Sequence, residues 1–210
     1  MLDRWTTQWV QPPLTKVAAL LNKSSFSPDH ITLTGFVAGM LAIPLLASQL
    51  YLPALVMILV NRVLDGLDGA LARLQSPSDA GGFLDITLDF IFYAGVVLGF
   101  ALSDPQSNAL ASSLLMFSFM GTGASFLAFG IMAQKHAIKH SHFGHKSLYY
   151  LGGLAEGTET IVIFVLFCLF PQHFPWLATV FAVICIITAM IRVCSGYQTI
   201  KQAEVPTLST

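Results

Sequence analysis

The sequence predicts an all-α polytopic membrane protein, with six transmembrane helices preceded by an interfacial amphipathic helix. Three observations carry that reading. The 210 residues are 55% hydrophobic and only 10% charged, whereas a soluble domain is about 25% charged. Apolar runs of spanning length, about 20 residues each, recur between short polar breaks. Lys and Arg gather at alternate breaks. The length suits one compact domain. The expected layout is a leader with interfacial helix over 1–30, a six-helix domain over 31–200 and a cytoplasmic tail over 201–210.

Each element follows from composition. The first thirty residues mix Trp5, Trp9 and Leu20 with charged residues, as in a helix lying among lipid headgroups. A disordered leader is the alternative. No basic n-region runs into a short apolar core, so a removable signal peptide is not expected. The stretch from Ile31 to Asn61 carries no charge and is broken at Ser48 to Pro53, which predicts a first span near 31–48. A second begins near Leu52 and runs to about Gln75, where Pro77 and two glycines turn the chain. A third covers 80–103, a fourth 109–134, a fifth 147–170 and a sixth 174–196. Glycine and serine at four-residue spacing (Gly35 and Gly39, Gly95 and Gly99, Gly121 and Ser125) permit close helix contact. Cys168, Cys185 and Cys194 lack metal-ligand spacing and read as reduced packing residues.

Orientation follows from the basic residues. Arg4, Lys16, Lys23, Arg73, Lys135, Lys139, Lys146, Arg192 and Lys201 fall on one side, and Arg62 lies within a span. The loops at 48–53, 103–108 and 171–175 hold no Lys or Arg. The bias puts both termini on the cytoplasmic side.

One window breaks the apolar pattern. From Asp65 the chain reads D-G-L-D-G-A-L-A-R, and after seven residues G-G-F-L-D-I-T-L-D. An Asp at the bilayer centre costs roughly 2.5–3.5 kcal/mol on insertion scales, so four clustered ones need neutralising. Asp65 and Asp68 share a helix face, and Asp85 and Asp89 are one turn apart. Together they would balance two Mg2+ or Mn2+ ions, hard cations that favour oxygen ligands. Gly69 and Ala72 leave room beside the acids, Arg73 can fork onto phosphate, and Gly81 opens the next helix start. Two metals with an arginine point to phosphoryl transfer. Satisfied salt bridges are the structural alternative.

These residues match the signature D-x-x-D-G-x-x-A-R…G-x-x-x-D-x-x-x-D, and the chain resembles the CDP-alcohol phosphotransferases. The resemblance extends to the six-span layout and the amphipathic first helix. It implies that Asp65, Asp68, Asp85 and Asp89 bind the metals, with Asp89 also the general base. Gly69, Ala72, Arg73 and Gly81 would line the cytidine diphosphate site, joined by Thr32 from Pro28-Asp29-His30-Ile31-Thr32, where Asp29 replaces the family's Asn. An acceptor hydroxyl would attack the phosphorus and CMP would leave. The implied donor is CDP-diacylglycerol, with glycerol 3-phosphate one candidate acceptor. The resemblance also implies a homodimer and placement in a bacterial inner membrane; the small residues of the third and fourth spans suggest its seam there, and the Lys and Arg bias puts the site at the cytoplasmic face. No nucleic-acid partner is expected.

Three features stay open. Arg62, Lys135, Lys139, Lys146 and Arg192 are candidate acceptor cations, although the three lysines also suit loop anchoring to anionic headgroups. His136, His140, His142 and His145 read better as an interfacial loop than as a zinc site. Glu156 and Glu159 either pair with Arg62 and Arg192 or recognise the acceptor. The competing functions are transfer from a CDP-amino alcohol to diacylglycerol, a transporter, and a non-catalytic lipid- or nucleotide-binding protein.

Overall fold

The computed structural model describes residues 3–23, 26–136, 138 and 154–204, with side chains from residue 11 onward. Lys139, Lys146, His140, His142 and His145 lie outside the described residues, as do the side chains of Trp5 and Trp9. Seven α-helices and one 3₁₀ turn are described, and no strand is present among these residues.

Helix α1 (Asp3–Leu21) continues through Pro12 and Pro13. Helix α2 (Pro28–Ala47) starts three residues before the expected span, because Pro28 suits a first helical turn and the Ser27 hydroxyl accepts from His30 N. Gln49 takes a left-handed φ of 61° at the next turn, and its Nε2 donates to Ser103 O at 2.9 Å. That bond ties the turn to the far end of α4 (Asp79–Ser103). Helix α3 (Tyr51–Gln75) carries the first aspartates. Ser78 caps α4 by accepting from Gly81 N at 3.0 Å. Helix α5 (Pro105–Lys135) begins four residues earlier than expected, since Asp104 caps it by accepting from Ser107 N and Pro105 takes the first position. Asp104 is held below the usual carboxylate range by its hydrogen bond with Ser107.

The expected fifth span differs most. Within the described residues its helix, α6, is only Gly157–Leu169. Leu154 N and Ala155 N donate to Thr188 Oγ1 at 3.2 and 3.1 Å, so this backbone is committed to a neighbouring helix. A 3₁₀ turn at Pro171–His173 leads into α7 (Phe174–Glu204), which outruns the expected sixth span.

Four segments are long and apolar enough to cross a membrane: Pro28–Ala47, Asp79–Ser103, Pro105–Lys135 and Pro171–Glu204. Among the described residues the chain is all-helical with four such segments, where six spans were expected. Helix α3 has the length, but Arg62, Asp65, Asp68 and Arg73 make it too polar. Helix α6 is described over 13 residues, and the start of the expected fifth span, at 147, lies outside the described residues.

Packing places α2 as the common neighbour of α3 and α4, with α1 against α3 and α5 against α7. Glycines set the close approaches. A Cβ on Gly35 would stand 3.0 Å from Leu64 Cβ, and one on Gly99 would stand 2.9 Å from Leu46 Cβ. The glycines at 35, 39, 95 and 99 are thus used within the chain. An aromatic ladder joins α4, α6 and α7: Phe92 meets Phe164 edge-on, Phe164 touches Phe167, and Phe174 stacks on Phe100 at 4.6 Å. Leu14, Ala18 and Leu21 of α1 pack on Leu67, Ala70 and Leu71, which fixes the aspartate-bearing part of α3.

Candidate active site

Helices α3 and α4 each lie against α2, and their acidic side chains reach toward one cavity. Its lining includes Thr32, Asn61, Asp65, Asp68, Asp85 and Asp89, with Gly35, Phe36 and Leu88 closing the apolar side. One ligand oxygen from each of Asp65, Asp85 and Asp89 lies within 4.8 Å of the others. Three carboxylate oxygens at that spacing suit one hard divalent ion. Asp68 is buried, and its Oδ2 accepts from Thr32 Oγ1 at 2.5 Å. The donor set therefore fits the expected metals.

The surroundings leave space for a ligand. A Cβ on Gly69 would meet only Arg73 Nη1, at 3.5 Å, so the exposed Arg73 folds back along the helix toward it. A Cβ on Gly81 would meet Ser78 Oγ at 3.0 Å and Asp29 Oδ1 at 3.1 Å, and one on Gly82 would meet nothing within 4 Å. Of the residues expected at the nucleotide end, Thr32 lines the aspartate cavity, whereas Gly69, Ala72, Arg73 and Gly81 are not part of its lining. Ala72 is part-buried on the turn between Gly69 and Arg73.

Arg62 sits against the aspartates. Its Nη2 donates to Asp89 Oδ1 at 2.6 Å, and its Nη1 is 3.5 Å from Asp65 Oδ2. Nη1 also donates to Tyr93 Oη at 3.1 Å and Nε to Asn61 Oδ1 at 2.7 Å. Asn61 in turn donates to Gly35 O at 2.9 Å. Asn61 and Tyr93 were absent from the sequence-based site. Asn61 could have been noticed as a polar side chain in the long uncharged run, and Tyr93 as the residue one turn beyond Asp89.

The other candidates lie elsewhere. Arg192 is buried on α7, with Nη1 3.3 Å from Thr122 O and its guanidinium 5.9 Å from the Phe126 ring centre. Its Nε is buried with no hydrogen-bond partner among the described residues. Glu156 and Glu159 close a capping box at the start of α6, where Glu156 N donates to Glu159 Oε2 at 3.3 Å. Lys135 is exposed in the last turn of α5. His136 Nε2 lies 3.9 Å from Glu204 Oε1.

An all-helical membrane bundle with a carboxylate cluster between two helices that share a neighbour is the class defined so far. The family model for CDP-alcohol phosphatidyltransferase matches residues 26–192. The chain belongs to that family. It is 55% identical over 204 residues to inner membrane protein YnjF of Escherichia coli K12, covering 97% of this chain and 99% of that protein. It is 36% identical over 94 residues to archaetidylinositol phosphate synthase of Pyrococcus horikoshii, covering 44% of this chain and 50% of that one. The fold is similar to crystal structures of Mycobacterium tuberculosis phosphatidylinositol phosphate synthase at 20% identity. The form with CDP-DAG bound gives a TM-score of 0.64 over 88% of this chain and 93% of that chain. The form with manganese and citrate gives 0.66 over 88% of each.

Proposed function

We propose that this protein transfers a phosphatidyl group from CDP-diacylglycerol to an acceptor hydroxyl and releases CMP. The observation that carries the reading is the convergence of Asp65, Asp85 and Asp89 within 4.8 Å beside a family signature that is complete in this chain. Two divalent ions, Mg2+ or Mn2+, held by Asp65, Asp68, Asp85 and Asp89, would neutralise the diphosphate and activate its phosphorus. Gly69, Ala72, Arg73, Gly81 and Thr32 would hold the nucleotide end, with Arg73 forking onto phosphate. Asp89 would take the acceptor's hydroxyl proton as the new P–O bond forms. The bond from that phosphorus to the bridging oxygen breaks, and CMP departs with the electron pair.

The reading places six spans in a bacterial inner membrane, with both termini and the aspartates at the cytoplasmic side and the nucleotide head in water. It takes the working form as a homodimer. The acceptor is an alcohol with an anionic group, glycerol 3-phosphate being one such molecule. Arg192 supports that choice, because a buried guanidinium with an unpartnered Nε suits an anion. The test is CMP release from CDP-diacylglycerol by purified protein with Mn2+ or Mg2+. It is run against labelled glycerol 3-phosphate, inositol phosphate, serine and glycerol, and repeated in EDTA. Metal-dependent release with a phosphorylated acceptor is expected. Release that survives EDTA would end the metal reading, and labelling of serine or glycerol alone would end the phosphorylated-acceptor reading.

A further inference from the structure

We infer that Arg62 is a built-in counter-cation of the aspartate cluster. It is a positioning residue that offsets carboxylate charge before metal arrives and aims Asp89 afterwards. The inference rests on the divalent-metal reading of that cluster. Arg62 lies outside the family signature, which begins at Asp65.

The geometry separates this role from acceptor binding. A guanidinium has five N–H donors. In Arg62, Nε, Nη1 and Nη2 are all engaged, by Asn61, Tyr93, Asp65 and Asp89. Its faces are covered too, with Phe92 and Tyr93 ring centres 4.7 and 5.2 Å from Cζ. The side chain is 12% exposed. So placed, it has little left to offer an incoming phosphate. It does have a fixed fork that holds Asp89 by Oδ1 and leaves Oδ2 for other chemistry.

Charge separates them as well. Asp65, Asp85 and Asp89 carry three negative charges and Arg62 cancels one, which leaves what a single divalent ion balances. Among the described residues, Arg62 is the only Lys or Arg in an ion pair with these carboxylates. Without it, three part-buried acids would face one another without a paired Lys or Arg among the described residues until a metal bound. With it, the first ion enters against a resident positive charge. Arg62 therefore trades metal affinity for stability of the metal-free protein and for the orientation of Asp89.

The test uses the full-length protein in detergent, with Arg62→Gln and Arg62→Lys variants. Thermal unfolding is measured in EDTA and in saturating Mn2+, and Mn2+ affinity by loss of the free-ion EPR signal. Arg62→Gln should be less stable than wild type in EDTA, recover in Mn2+, and bind Mn2+ about ten-fold more tightly. A variant recoverable only in Mn2+ gives the same answer. Arg62→Lys keeps the charge and should stay within about three-fold of wild type in Mn2+ affinity, while CMP release falls at least about ten-fold because the fork is lost. Equal loss of Arg62→Gln in EDTA and in Mn2+ would mark a mere packing residue and overturn the inference. So would a variant indistinguishable from wild type in both conditions. Wild type that binds no Mn2+ overturns the metal reading and this inference with it. Wild type that binds Mn2+ beside an unchanged Arg62→Gln overturns this inference alone.

Discussion

Gly39→Ala tests the link between helix packing and the site. A Cβ there would fall 2.7 Å from Phe92 Cδ2, 2.8 Å from Phe92 Cε2 and 3.0 Å from Asn61 Cγ. Phe92 cannot step aside easily. It is fully buried, meets Tyr93 and Phe164 at ring-centre distances of 5.7 and 6.4 Å, and has the Arg62 guanidinium on its face. Overpacking of this kind costs about 1–3 kcal/mol. Alanine is also the better helix former by about 0.8–1 kcal/mol, which offsets part of the loss. Gly121→Ala separates the two effects, since its Cβ would meet Ala189 Cβ at an ordinary 3.4 Å. It receives the helix gain without the clash, so the gap between the variants measures the clash alone. Scanning fluorimetry in detergent should place Gly39→Ala lower in Tm by about 2–12 °C, from that energy at roughly 2–4 °C per kcal/mol. CMP release should fall as well, beyond the unfolded fraction, because Phe92 and Asn61 both hold Arg62 and Arg62 holds Asp89. Equal melting of the two alanine variants would refute the packing argument.

Further outcomes follow from single contacts. Asp89→Asn should abolish CMP release while CDP binding, read by calorimetry, persists; near-normal turnover would remove Asp89 as the base. Thr188→Val should cost about 1–3 kcal/mol by stranding two backbone donors, seen as a lower Tm, and Thr188→Ser should restore most of it. Asp104→Ala removes a cap whose carboxyl is held below its ordinary value by Ser107. A lowered folded-state pKa gives stability that is full above the unfolded value and lost as pH falls through the folded one. The Tm gap to wild type should therefore be widest near neutral pH and close in acid below about pH 4.

The aspartate window was legible because a charge inside an apolar run demands a compensating partner, and i, i+3 and i, i+4 spacing already pairs Asp65 with Asp68 and Asp85 with Asp89. Helix starts at Pro28 and Pro105 were legible in kind, although the caps moved them outward by three and four residues. The sequence offered Glu156 and Glu159 as partners for Arg62, but the structure pairs it with Asp65 and Asp89. Asp65 is one turn along the same helix, but Asp89 is 27 residues away and meets it only because α3 and α4 share α2. The start of α6 was hidden for a similar reason. Local composition favours a longer apolar helix, and only Thr188, over thirty residues downstream, diverts the backbone N–H groups of Leu154 and Ala155. Long-range hydrogen bonds of this type have no local spacing to betray them.

Among the described residues two arginines are buried or nearly so, and their surroundings differ. Arg62 is surrounded by oxygen acceptors and aromatic faces, so its desolvation is already offset inside the protein. Arg192 is 8% exposed and, among the described residues, has one long bond to a carbonyl and no partner for Nε. An unmet buried donor costs about 1–3 kcal/mol, and more on a charged group. If both arginines served the fold alone, that difference would have no purpose, since a leucine on α7 would pack without the penalty. An anionic acceptor resolves it on the proposed reading. The guanidinium that is satisfied holds the base, and the one that is not is the better place for the substrate's own charge. An acceptor phosphate directed to Arg62 would have to displace Asp89, the proposed base, whereas one directed to Arg192 displaces no carboxylate ion-paired to it among the described residues.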